Sequence, residues 1–294
     1  MALRPQYRLA LLLVVLVLGS GCHIVAQPAQ PAVQNDVVYG TADGQDLKLD
    51  IYPFATPGPH PACLLIHGGG WAGGSKSGEK GAGLGLAGQG IVCFAVEYRF
   101  APKYPWPAQI LDCARAARWV RAHAADYGVD PARLGAMGGS AGGHLSLMLG
   151  VIQPGDYPSE DDPNKALSAK VCCVVDLFGT TDMRGASFSP AATAILTNFI
   201  GAPPGQAADQ YADASPITHA TKDASPVLLV HGDADTLVPL QQSETMKATL
   251  DQLGVANQLI VVKNGGHGFG GATKEDIGAA YQAALQWLVA HLSK

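Results

Sequence analysis

Charged side chains are scarce in this 294-residue chain: 19 Lys and Arg stand against 24 Asp and Glu, together 15% of the residues. No basic run and no basic amphipathic segment occurs, and the formal charge is −5. That balance excludes a nucleic-acid partner, because phosphate-backbone binding needs clustered Lys and Arg. There is no CxxC pair and no Cys/His spacing of the zinc type, so no metal ion is expected. No Walker loop occurs either, and no cofactor is expected. The apolar run Leu9–Leu18 has ten residues, too few to span a bilayer.

What the N-terminus does have is the order of an export signal. Arg4 and Arg8 precede that apolar run, and Gly19-Ser20-Gly21-Cys22 follows it. Residues 1–22 therefore read as a secretory signal. Its end resembles a bacterial lipoprotein signal, in which the Cys after small residues is lipidated. Gly19 stands where that pattern wants an aliphatic residue, so two outcomes stay open: lipidation of Cys22, or ordinary cleavage near Ala26. Either gives an exported protein, periplasmic, membrane-anchored or secreted, whose membrane contact is confined to an N-terminal lipid. Losing Arg4 and Arg8 makes the mature chain more acidic still.

Residues 23–36, rich in Pro, Ala and Gln, read as a flexible tether. Beyond them, residues 37–294 form one catalytic domain in which strand-like and helix-like segments alternate. Continuous apolar runs at Ala62–Ile66, Ile91–Val96, Leu134–Met137, Val171–Val175, Val227–Val230 and Leu259–Val262 predict strands buried on both faces. Leu47–Tyr52 alternates as an edge strand does. Helical periodicity covers Trp106–Tyr127, Ser146–Val151, Ser243–Leu253 and Glu275–Leu292. The fold class is α/β: a mainly parallel central sheet with helices on both faces. A weakly periodic stretch from about Asp182 to Ser225 predicts excursion loops and short helices, a small cap. Four cysteines lie in the apolar runs and Cys113 in a helix; buried free thiols are the default, and one disulfide stays open in an oxidising compartment.

Four of the predicted strands end in loops with chemistry in them. His67-Gly68-Gly69-Gly70-Trp71 follows the first run; glycines there let backbone N–H groups approach a developing oxyanion. Gly138-Gly139-Ser140-Ala141-Gly142 matches G-x-S-x-G between a strand and a helix, as a nucleophile elbow requires. His231-Gly232-Asp233-Ala234-Asp235 follows the third, and Gly265-Gly266-His267-Gly268-Phe269 the last. Each loop alone is an ordinary Gly-rich turn. Their chain order, oxyanion glycines, Ser, Asp, His, is that of the α/β-hydrolase fold. Serine is a poor nucleophile until a base takes its proton. The expected roles are Ser140 as nucleophile, His267 as base and Asp235 as its orienting acid, with N–H donors from Gly69, Gly70 and Ala141. Asp233 is expected to brace its own turn. His144, one turn beyond Ser140, is expected to help pack the elbow.

These motifs carry a family resemblance across most of residues 40–292. The chain resembles the hormone-sensitive-lipase-like and carbohydrate-esterase branches of the α/β-hydrolases. His67–Trp71 looks like their HGGGW loop, and Glu97–Pro102 with Pro105–Ala108 is similar to EYRLAP and FPA. Gly139 stands where the lipase-like branch has Asp, and the acid lies in HGDADTLVP rather than a DPLRDE-type segment. Both departures favour the carbohydrate-esterase branch, and GGSAGGH, HGDADTLVP and GGHGF together look most like bacterial acetyl xylan and feruloyl esterases. The resemblance implies a serine ester hydrolase on short or aromatic acyl esters of plant polysaccharide. Arylformamidases and dipeptidyl-type peptidases share the fold and triad, and a silent binding lipoprotein would share the pocket; those readings stay open.

Overall fold

The computed structural model describes residues 31–185 and 188–293. The export-signal reading of residues 1–22 and the fate of Cys22 lie outside the described residues.

Among the described residues eight strands form one sheet: β1 (Gln34–Ala42), β2 (Gln45–Tyr52), β3 (His60–Ile66), β4 (Val92–Val96), β5 (Val129–Gly139), β6 (Val174–Leu177), β7 (Val227–Gly232) and β8 (Asn257–Val262). Their spatial order is β1-β2-β4-β3-β5-β6-β7-β8. β1 and β2 join by antiparallel pairing, and every ladder from β4 to β8 is parallel. β1 takes in the last three residues of the segment expected as a tether: Gln34 pairs with Ile51, and the Asp36 N–H donates to Asp50 Oδ1 at 2.9 Å.

Among the described residues eight α-helices cover the sheet: α1 (Lys80–Ala87), α2 (Ala108–Ala122), α3 (Ala141–Val151), α4 (Pro190–Ile200), α5 (Ala208–Asp213), α6 (Pro216–His219), α7 (Gln241–Gln252) and α8 (Lys274–Leu292). Strands β3, β4, β6 and β7 bury both faces, which is why they read as unbroken apolar runs; β8, expected to do the same, is an edge strand with Val261 exposed. In β4, Val92, Phe94 and Val96 enter one core with residues of α2, α3, α4 and α7. Cys93 and Ala95 enter a second core with Leu86 of α1 and Leu288 of α8. Cys63, Cys93, Cys113, Cys172 and Cys173 are free thiols, all but Cys172 fully buried. Among the described residues no helix is long and apolar enough to cross a membrane.

Several elements differ from the sequence expectation. β6 begins at Val174 rather than Val171, because its ladder starts where Val174 meets Ala136 and Val227. α1 was not expected: Gly81, Gly83 and Gly85 give its sequence poor helix propensity. Helices α4, α5 and α6 fill the stretch expected as a cap.

Candidate active site

Ser140 sits where β5 turns into α3. Its backbone is at φ 56°, ψ −119°, a region that costs a non-glycine residue roughly 1–3 kcal/mol. The turn is held from both sides: the Ser140 N–H donates to Leu177 C=O (2.8 Å), and the His144 N–H donates to Ser140 C=O (3.0 Å). Its glycines are steric necessities. A Cβ at Gly138 would lie 2.3 Å from the Ile66 carbonyl oxygen, and one at Gly142 only 1.8 Å from it.

The loops after β7 and β8 bring the other two side chains to Ser140. The Ser140 hydroxyl donates to His267 Nε2 at 2.8 Å. His267 Nδ1–H donates to Asp235 Oδ2, also at 2.8 Å. Asp235 Oδ1 accepts from the N–H groups of Leu237 and Val238, both at 2.9 Å, so both carboxylate oxygens are engaged. Burial alone would raise the Asp235 pKa, but bonds from His231, His267 and the Val238 N–H hold it well below the usual carboxylate range. The Phe178 ring packs edge-on against the imidazole of His267, with centroids 5.1 Å apart.

His231, absent from the expected site, backs the acid. Its Nε2–H donates to Val238 C=O (2.8 Å), its Nδ1 accepts from the Ser243 hydroxyl (2.7 Å), and Nε2 lies 3.4 Å from Asp235 Oδ2. The His-Gly-Asp triplet was the available signal, since its first residue closes a buried strand. Asp233 was expected to brace its own turn, but Asp235 Oδ1 takes those turn N–H groups; Asp233 instead accepts the Asn264 N–H at 2.6 Å and ties the acid loop to the histidine loop. His123, His219 and His291 bond to main-chain carbonyls of Trp119, Asp213 and Trp287 and take no part here.

The glycine loop after β3 lies against the elbow. A Cβ at Gly68 would come within 2.8 Å of the Gly139 carbonyl oxygen, and Gly69 and Gly70 hold φ values of 119° and 59°. Gly69 and Gly70 line the same cavity as Ser140 and His267. Ala141, the third expected donor, is the buried first residue of α3. Trp71 pins this loop: its ring stacks on Phe199 of α4 at 4.0 Å, and its indole N–H donates to His144 Nδ1 (3.1 Å). His144 Nε2–H then donates to Ala214 C=O (2.7 Å). His144 therefore packs the elbow, as its position suggested, and also joins it to the glycine loop and the cap. Burial pushes its pKa down to about 4, so it stays neutral and serves as one donor and one acceptor. Arg99 anchors the next segment, with side-chain bonds to both carboxylate oxygens of Asp112 on α2.

A cavity of about 900 Å³ opens over Ser140. Among the described residues no cluster of His, Cys, Asp and Glu is built to hold a metal ion. Such an arrangement can take a serine proton, attack a carbonyl carbon and stabilise the resulting oxyanion.

A family model, BD-FAE, matches residues 49–250. The chain belongs to the BD-FAE family. Among curated relatives it is 35% identical over 238 residues to the "Probable carboxylic ester hydrolase LipM" of Mycobacterium tuberculosis, covering 79% of this chain and 54% of that one. The chain spans about half the length of the curated relatives it matches. Among solved structures, a truncated carbohydrate esterase from gut microbiota superposes at TM-score 0.78 and 28% identity, covering 91% of this chain and all of that one. Esterase Est2 of Thermogutta terrifontis superposes at TM-score 0.75 and 26% identity, over 87% and 92% of the two chains. This BD-FAE domain thus has the α/β-hydrolase fold of those esterases.

Proposed function

We propose that this BD-FAE domain is a serine carboxylic ester hydrolase working through an acyl-enzyme on Ser140. The observation that carries the reading is the unbroken relay Ser140 Oγ–His267–Asp235, with both hydrogen bonds at 2.8 Å. His267 Nε2 takes the hydroxyl proton as Oγ attacks the ester carbonyl, and Asp235 stabilises the imidazolium that forms. The N–H groups of Gly69, Gly70 and Ala141 receive the oxyanion. The tetrahedral intermediate collapses, His267 protonates the departing alcohol, and water then releases the acid by the same steps in reverse. The names of LipM and of the gut carbohydrate esterase support an ester substrate. Within that class we propose short-chain or aromatic acyl esters, such as acetyl or feruloyl decorations of plant polysaccharide. An exported setting, with Cys22 as a lipid attachment point, belongs to the same proposal and rests on the order of residues 4–22.

The test is Ser140→Ala with p-nitrophenyl acetate as substrate. Turnover is expected to fall by about 10⁴-fold or more, since nucleophile and base act as a unit. Wild-type-like turnover by the variant would refute the proposal.

A further inference from the structure

Two aromatic residues beside the base hold backbones that bulky side chains avoid. Phe178 has φ 47° and Phe269 φ 63°, in the left-handed region where a non-glycine residue is strained. Hydrogen bonds keep both from relaxing. The Phe178 N–H donates to Val230 C=O (2.8 Å) and the Phe269 N–H to Gly266 C=O (2.8 Å), while Phe269 C=O accepts from the Ala272 N–H (3.1 Å).

The two strained turns aim the rings at each other. Phe178 leaves the end of β6 and Phe269 belongs to the histidine loop, yet their rings meet edge-on, with centroids 4.9 Å apart and planes at 89°. The Phe178 ring also meets the His267 imidazole at 5.1 Å and the elbow, where a Cβ at Gly139 would lie 3.1 Å from its Cζ. Phe178 is thus wedged between the nucleophile strand and the base. Phe269 backs it from the core, 1% exposed, and does not border the cavity.

The base needs such a wall. Its neighbours Gly266 and Gly268 carry no side chain to brace the ring. Its two hydrogen bonds fix Nδ1 and Nε2 but not the tilt of the ring about the line between them. One of those bonds is also lost in every turnover. Once Ser140 Oγ carries the acyl group it has no proton to donate, and Asp235 alone holds the imidazole while it activates water.

We propose that Phe178 and Phe269 are positioning residues for the base: the interlocked pair keeps the His267 imidazole aimed at Ser140 Oγ, above all in the acyl-enzyme. The proposal rests on the ester-hydrolase reading above.

The test compares Phe178→Leu and Phe269→Leu with the wild-type full chain on p-nitrophenyl acetate. Each variant is expected to lower kcat by about 10- to 10²-fold, because a misaimed base costs rate. KM is expected to stay the same or to fall, as it does when deacylation slows more than acylation. A second arm removes the base. In a His267→Ala background, Phe269→Leu is expected to change the residual turnover by less than about twofold, since nothing is left to position. Wild-type kcat in both leucine variants, a raised KM, or an equal loss without His267 would overturn the proposal. A third arm reads the ring itself by proton NMR with isotopically labelled histidine. The Nδ1 proton bonded to Asp235 should give a sharp downfield signal in the wild type and an exchange-broadened one in both leucine variants. A signal equally sharp in all three would also overturn the proposal. Should one variant fail to fold, as its Tm would show, the other carries every arm. If the wild type turns over no ester, the hydrolase reading fails, and the Nδ1 signal still decides the role of the two rings.

Discussion

At Asp235 the two carboxylate oxygens have separate duties. Oδ1 accepts two main-chain N–H groups, and Oδ2 faces His267 Nδ1 at 2.8 Å. An amide in its place has to keep its oxygen toward Leu237 and Val238, which turns its NH₂ toward His267. The imidazole then presents Nδ1 as acceptor and carries its proton on Nε2, where it can no longer receive the proton of Ser140. Asp235→Asn is therefore expected to lower kcat by about 10³- to 10⁴-fold near pH 7 with a small change in KM. Steady-state kinetics on p-nitrophenyl acetate check it; a loss of less than tenfold would argue against the assigned acid. Loop order pointed to the acid loop; the choice of Asp235 over Asp233 within it rested on a turn-bracing role for Asp233, which the structure gives to Asp235 Oδ1. The backing by His231 was not, since it depends on the acid loop folding back over the end of β7.

Among the elements, the elbow and α1 use glycine for opposite reasons. At Gly142 the Ile66 carbonyl occupies the place of a side chain, so β3, β5 and α3 meet closer than any Cβ permits. Gly142→Ala is expected to destabilise the fold by more than about 3 kcal/mol, in the range of severe overpacking. Gly81→Ala, with open space at its Cβ, should instead stabilise by roughly 0.5–1 kcal/mol through helix propensity. Urea unfolding of the two variants measures both, and equal effects would contradict the packing described. G-x-S-x-G announced the elbow because a strand, a sharp turn and a helix are local features. α1 stayed hidden because three glycines mask a helix that tertiary contacts with Tyr52 and β4 sustain. β5 was read as Leu134–Met137 and extends from Val129 to Gly139; its polar Asp130 to Arg133 stretch carries no apolar signal.

For the molecule as a whole, two buried groups bend the pH dependence of stability in opposite directions. Burial pushes His144 down to about 4 and Asp176 up to about 7, the latter against the neighbouring His231 and the Gly179 N–H bond. The unfolded histidine binds a proton below about 6.5, so its contribution is full above that pH and is lost as pH falls toward 4. The unfolded aspartate releases its proton above about 3.9, so its contribution is full below that pH and is lost as pH rises through 7. Between pH 4 and 6.5 the two slopes, each about 1.4 kcal/mol per pH unit, oppose one another. His144→Gln is expected to leave a Tm that falls as pH rises through this window, and Asp176→Asn one that rises. Thermal unfolding across pH 4–7 tests the pair; parallel profiles for both variants would count against it.

Strand-to-loop punctuation is local, and it sufficed to name the α/β class, the four functional loops and the residues Ser140, Asp235 and His267. Apolar runs mark buried strands, and glycines mark the tight turns at their ends, wherever the chain later goes. Convergence is a different matter. The serine and histidine are 127 residues apart in the chain and the histidine and acid 32 apart; their meeting depends on β5, β6, β7 and β8 lying side by side and parallel. The Asp233–Asn264 tie and the Trp71–His144–Ala214 link to the cap arise in the same way. Each needs two distant elements at one distance and angle, which strand order and packing set and local composition does not encode.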